Sequence, residues 1–184
     1  MARTPSNMLL LGTIAPDFNL LDTVTDEFSS LQSLKGNKGT VIMFICNHCP
    51  FVKHVNPEIS QMAREYRSTG INFIAISSND IINYPQDAPD LMRQVAEKES
   101  YGFPYLFDAD QEIAKKYDAA CTPDFYLFDS RLKLVYRGQL DDSRPGNGIP
   151  VTGTDLRNAM DALLAGDEID PNQKPSIGCN IKWA

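Results

Sequence analysis

Two cysteines three positions apart, Cys46 and Cys49, enclose Asn47 and His48, and this C-x-x-C is the part of the chain best equipped for chemistry. The run before it, Val41-Ile42-Met43-Phe44-Ile45, is continuously apolar, as in a strand buried on both faces, and a helical pattern follows. A thiol at a helix N-terminus meets unpaired N–H groups and the positive end of the dipole, and both favour thiolate. Cysteines at i and i+3 in that first turn can close a disulfide after small adjustment. The spacing delivers a nucleophile, assigned to Cys46, together with a resolving thiol, Cys49. An imidazolium at His48 would further stabilise thiolate at Cys46. Other readings stay open. A zinc site needs a second ligand pair; the chain has no second C-x-x-C, and its two histidines, His48 and His54, would crowd all four ligands into nine residues. The cysteines could be incidental core residues, and His48 an idle surface group. The reading adopted is redox chemistry without a metal or other cofactor.

The elements that position this pair can be read from periodicity. Ile71 to Ile76 and Phe125 to Phe128 repeat the buried-strand pattern, whereas Leu132 to Tyr136 alternates as an edge or antiparallel strand does. Ile59, Met62, Ala63 and Tyr66 keep helical spacing after Asn56-Pro57-Glu58, a cap with proline at the first helical position, and Gly70 closes that helix. Asp87-Ala88-Pro89-Asp90 opens a second helix running through Lys98, with Leu91 and Val95 inward. Asp110 caps a short one carrying Ile113, Ala114 and Tyr117. Thr154 begins the last, with Leu156, Met160, Leu163 and Leu164 inward and Gly166 as its stop. Strands alternating with helices predict βαβ units and a mainly parallel central sheet, finished by a hairpin and a helix. The 184 residues read as one α/β domain, residues 1–184, with a core of about 12–166 and a tail, 167–184, that is either loose or a strap.

Composition narrows the function classes. Seventeen Lys+Arg against 24 Asp+Glu leave a net charge of −7, which disfavours a nucleic-acid partner because phosphate neutralisation needs a basic face. No apolar run approaches the ~20 residues that span a bilayer, so no membrane partner is expected. The N-terminus has one arginine and a short apolar patch, Met8 to Leu11, where a secretory signal needs ~7–15 apolar residues. The opening Met also counts against a removed leader, and the chain is read as cytoplasmic. In a reducing compartment its four cysteines are not a structural disulfide framework.

The motifs also resemble a known family. Gly12-Thr13-Ile14-Ala15-Pro16-Asp17-Phe18, then Leu31 to Gly36, then Val41 to Cys49 are similar to the opening of the redoxin (AhpC/TSA) branch of the thioredoxin superfamily, which includes peroxiredoxins and membrane-anchored thiol reductases. Cys121-Thr122-Pro123-Asp124 before the strand Phe125 to Phe128 matches that superfamily's cis-proline loop. The resemblance spans roughly Gly12 to Gly166. More narrowly, Cys46 to His54, Tyr136 to Asn147 and Pro175 to Trp183 look like a bacterial peroxiredoxin-like group. It implies a thioredoxin-like fold, a central mixed sheet flanked by helices, with an N-terminal extension and a C-terminal tail. It also implies a cis Thr122–Pro123 bond, with Thr122 and Pro123 presenting substrate to the cysteines. Departures are visible. Ile45 stands where thioredoxins carry Trp. If Cys49 aligns with the peroxidatic cysteine, Cys46 replaces the family Thr, and the supporting Arg falls at Cys121-Thr122-Pro123. This is a peroxiredoxin frame holding a thioredoxin-type dithiol.

Cys121 and Cys179 are candidate additional thiols. The alternative for Cys121 is a small buried hydrophobe, and Trp183 offers an anchor by which the tail around Cys179 docks. Lys53 and His54 read as solvated surface. The expected function is thiol-disulfide exchange on a disulfide-bonded protein or a small thiol substrate, with Cys46 attacking and Cys49 resolving. Weak peroxidase activity, a form of antioxidant chemistry, is the alternative. A copper carrier using the cysteine pair before Pro50 is a further one, though no histidine follows His54.

Overall fold

A computed structural model describes residues 3–184. In chain order the elements are β1 (Thr4–Pro5), β2 (Asn19–Asp22), β3 (Glu27–Ser30), α1 (Leu31–Leu34), β4 (Gly39–Phe44), α2 (Pro50–Tyr66), β5 (Ile71–Ser77), α3 (Pro89–Lys98), β6 (Tyr105–Phe107), α4 (Glu112–Lys116), β7 (Cys121–Thr122), β8 (Asp124–Asp129), β9 (Leu134–Gly138), α5 (Thr154–Ala165) and β10 (Ile177–Asn180). A seven-stranded sheet runs β3-β2-β6-β5-β4-β8-β9, and a small sheet runs β1-β10-β7. The mixed sheet between helices is the thioredoxin-like architecture. The sequence reading of a mainly parallel sheet needs correction: β4–β5 and β5–β6 are parallel, and the other four neighbouring pairs are antiparallel. β2 and β3, short and half exposed, carry little apolar signal and went unread.

β4 shows why its apolar run is continuous. Val41, Met43 and Ile45 enter the core cluster under α2, while Ile42 and Phe44 enter the cluster on the opposite face, with Tyr117 and Phe128. Side chains alternate across a strand, so a strand covered on both faces needs every position apolar. Helix α2 begins at Pro50 with Cys49 as its N-cap, earlier than the Asn56–Pro57 start read from sequence; Pro57 lies inside it. An interior proline costs about 3 kcal/mol. Burial of Phe51, Val52, Val55, Ile59 and Met62, each worth about 1.5–3 kcal/mol, outweighs that. Gly70 then stops the helical segment with φ +92°, a conformation glycine adopts without steric cost. In α3 the inward face is Met92 and Ala96, one position on from the expected Leu91 and Val95, and Leu91 is exposed. In α5 Leu156 and Met160 are buried as expected, Leu163 is half-buried and Leu164 exposed.

The tail is a strap. Ile181 N–H donates to Ala120 O at 3.1 Å, Ser6 N–H to Ser176 O at 2.9 Å, and Ile181 is buried. Trp183 is 45% exposed, so the anchors are Cys179 and Ile181 rather than the tryptophan. Among the described residues no helix is long and apolar enough to cross a membrane.

Candidate active site

Cys46 lies two residues beyond the end of β4 and Cys49 caps α2, so a strand end and a helix start hold the two side chains together. Both are buried, at 2% and 0% exposure. Both sulfurs converge on Thr122: Cys46 Sγ lies 3.5 Å from its Oγ1 and Cys49 Sγ 3.2 Å from its carbonyl oxygen. The Thr122–Pro123 bond is cis, as the resemblance implied. All four cysteines are free thiols in this structure.

The two thiols are not equivalent. A hydrogen bond from the Cys46 thiol draws Cys49 down to about 5 against its burial, and the Cys179 thiol, the Thr122 hydroxyl and the Val52 N–H assist. The Thr122 carbonyl opposes this, since it can be bonded only by a protonated thiol, but it is outnumbered. Cys46 is held well above the ordinary thiol range by that same bond to Cys49, then by burial and the charge of Asp87. The position of Cys49 as N-cap, facing the orphan N–H groups of α2, acts in the same direction. These opposite shifts favour charge on Cys49, the reverse of the order read from sequence.

His48 is not free to serve Cys46 alone. Its Nδ1 lies 2.6 Å from Oδ2 of Asp87, a fully buried carboxylate, and its ring stacks on Tyr84 with centroids 5.6 Å apart. Asp87 also accepts from the backbone N–H of Asn47 at 2.8 Å, that of His48 at 3.3 Å, and Asn79 Nδ2 at 2.8 Å. The loop between the cysteines is thus fastened to the segment before α3. In the sequence Asp87 read as part of a helix opening; its role here was missed because that local reading explained it. Cys46, His48 and Asp87 bring possible ligand atoms within 4.8 Å of one another. Asp87 and His48, however, spend their facing atoms on a mutual hydrogen bond, and Asn79 takes another contact on the same oxygen.

Thr122 lies beside both sulfurs with Pro123 next in the chain, as the resemblance implied, but the edge expected to receive substrate is occupied by the chain's own tail. β10 pairs antiparallel with β7, Cys179 opposite Thr122 and Asn180 opposite Cys121. Ser176 Oγ donates to Pro123 O at 2.6 Å. Cys121 is fully buried, its thiol 3.7 Å from Pro123 O and pushed up by burial, which disfavours thiolate there. Lys53 is exposed as expected, while His54 is half-buried with Nε2 2.7 Å from Ser143 Oγ.

The AhpC/TSA family model matches residues 11–137. The chain is similar to an uncharacterized conserved protein from Geobacillus kaustophilus, at 57% identity and TM-score 0.98, over 100% of this chain and 97% of that one. A hypothetical protein from Sinorhizobium meliloti 1021 follows at 46% identity and TM-score 0.96, with 98% of each chain covered. The thioredoxin domain of a thiol-disulfide oxidoreductase from Bacteroides vulgatus shares the fold at 18% identity and TM-score 0.66, over 85% of this chain and 99% of that one. No curated protein matches.

Proposed function

The chain belongs to the AhpC/TSA family of thioredoxin-like redox proteins, and from that premise we propose that it is a thiol-disulfide oxidoreductase working through a Cys46–Cys49 dithiol–disulfide couple. The observation that carries this reading is the convergence of both sulfurs on Thr122 beside Pro123. The Cys49 thiolate attacks one sulfur of a substrate disulfide, and that bond breaks to release a thiolate. Cys46 gives up its proton and attacks Cys49 in the mixed disulfide, releasing the second substrate sulfur. The substrate loses its disulfide, the protein gains one, and a single proton is shared between the two products. This order reverses the one read from sequence because Cys49 carries the charge. His48, paired to Asp87, tunes the couple. The substrate is a disulfide-bonded protein or a small thiol compound in a reducing, cytoplasmic setting. Mass analysis after mild oxidation should show the peptide spanning both cysteines lighter by two hydrogens; free thiols at both positions would end this reading.

The low Cys49 pKa also supports a second reading, thiol peroxidase. Cys49 takes an oxygen from peroxide as sulfenic acid, and Cys46 condenses with it to release water. With Cys46 in the family's Thr position, this activity is expected to be weak, since losing one such donor costs ~10²–10³ in rate. Peroxide turnover faster than disulfide turnover would exchange the two readings.

A further inference from the structure

Cys179 stands opposite Thr122 in antiparallel register. Opposed residues of such a pair project to the same face. On that face the Thr122 hydroxyl meets Cys46, while Cys49 meets the Thr122 backbone carbonyl. β10 also packs against α2, and Cys46, Cys49 and Cys179 lie in one buried cluster on the α2 side of the sheet. Cys121, next to Thr122 in β7, projects the other way.

The strand is built into this place. A Cβ on Gly178 would fall 1.9 Å from Thr122 O, so only glycine permits so close an approach. Beyond Cys179, Lys182 N–H donates to Asn79 Oδ1 at 2.8 Å and Lys182 O accepts from Asp80 N–H at 2.8 Å. Asn79 is itself bonded to Asp87, so the tail and the C-x-x-C loop hang on one network.

We propose that Cys179 is a third redox thiol, which takes over the disulfide from Cys46 and so locks the tail strand across the Thr122 edge. The proposal rests on the Cys46–Cys49 couple, which supplies the disulfide. Cys179 attacks Cys49, the Cys46–Cys49 bond breaks, a Cys49–Cys179 bond forms, and Cys46 leaves with the proton that Cys179 loses. No external oxidant is consumed. In the reduced protein the Cys179 thiol is pushed up to about 12 by burial, then by its hydrogen bond to Cys49 and the Cys49 charge. Oxidation of Cys49 removes that charge, so Cys179 becomes more acidic at the stage where it must attack. While β10 is locked, an extended polypeptide cannot pair with β7, and the Cys49–Cys179 disulfide is open to reduction by small thiols.

The test compares wild type, Cys46→Ser, Cys179→Ser and the double variant after reduction and exposure to oxidised glutathione or the smaller oxidant diamide. Thiols are then alkylated and disulfides mapped by mass without reduction. Cys46→Ser should yield a Cys49–Cys179 cross-link as its predominant product, with Cys121 alkylated after unfolding. With glutathione, the double variant should instead accumulate the mixed disulfide on Cys49. Amide exchange in residues 177–181 should slow in cross-linked Cys46→Ser and not in the double variant. A Cys46→Ser protein that carries glutathione on Cys49 and a free Cys179 overturns the proposal and leaves the couple intact. Absence of Cys46–Cys49 linkage in both wild type and Cys179→Ser overturns the couple itself. Should the serine variants not fold, wild type decides alone: a Cys49–Cys179 peptide supports the proposal, and its absence where Cys46–Cys49 forms overturns it.

Discussion

Cys49 carries its charge in a buried place with no cation supplied by its own loop, because His48 is spent on Asp87. What holds the thiolate is a set of neutral donors, the Cys46 thiol foremost. A hydrogen bond to a charged group is worth about 1.5–3 kcal/mol, and 1.36 kcal/mol corresponds to one pKa unit. Cys46→Ala should therefore raise the apparent Cys49 pKa by about 1–2, while Cys46→Ser, which keeps a donor, should raise it less. Ultraviolet thiolate absorbance against pH reads this directly, and equal titrations in wild type and Cys46→Ala would show that helix geometry alone sets the value. His48 makes the complementary case. Replacing it with alanine leaves the buried Asp87 charge unmatched beside Cys46, which disfavours the reduced, charged state. His48→Ala should thus lower the reduction potential by some tens of millivolts, at ~30 mV per ~1.4 kcal/mol. Equilibration against glutathione checks it: identical potentials would make His48 a positioning group only.

Elements differed in how plainly the sequence announced them, and the reason is burial. β4, covered on both faces, left a run of apolar residues that could hardly be misread, and the C-x-x-C at its end was legible with it. The start of α2 was hidden because Asn56-Pro57 imitates a cap, although Pro50 at its first position carries the same signal. The phase of α3 was missed because Leu91 and Met92 are both apolar and only tertiary contact chooses between them. Least legible was β10, whose Ile177-Gly178-Cys179-Asn180 has no strand periodicity; its pairing is fixed by backbone approach to Thr122. Gly178→Ala isolates that element. The added methyl would overlap the Thr122 carbonyl, and overpacking of this kind typically costs ~1–3 kcal/mol. The tail should detach before the main sheet is disturbed, with faster amide exchange at Cys179 and Ile181 and faster alkylation of Cys49. Unchanged exchange at those amides would mean that the strap tolerates the methyl and is not seated by close approach.

Across the molecule, the small sheet and the large one meet at a turn of one residue, Pro123, between β7 and β8, and behind that junction lies Asp124. The residue stands opposite Phe44 in the β4–β8 register, and its carboxyl is fully buried and reached on Oδ2 by the Tyr126 hydroxyl at 3.1 Å; Oδ1 has no partner among the described residues. Burial pushes its pKa up from the ordinary 3.8 to about 7, with the hydrogen bond from Tyr126 pulling the other way. The folded protein therefore holds this proton more tightly than the unfolded chain does. Stability from this source is complete below about pH 4, declines as the unfolded chain ionises, and is lost once pH passes about 7. The span corresponds to about 4 kcal/mol as an upper bound. Asp124→Asn removes the titration while keeping the shape. Denaturant midpoints should nearly coincide for the two proteins at about pH 4, and above pH 7 the variant should be more stable by up to a few kcal/mol. Other carboxylates titrate alike in both, so the difference between the proteins isolates Asp124. A stability gap that stays constant with pH would mean that the carboxyl is already ionised in the fold, with water or a moved side chain meeting Oδ1. A gap that opens across that range would instead show that the fold bears its greatest strain from this group at the pH where Cys49 is fully thiolate, at the junction that carries Thr122.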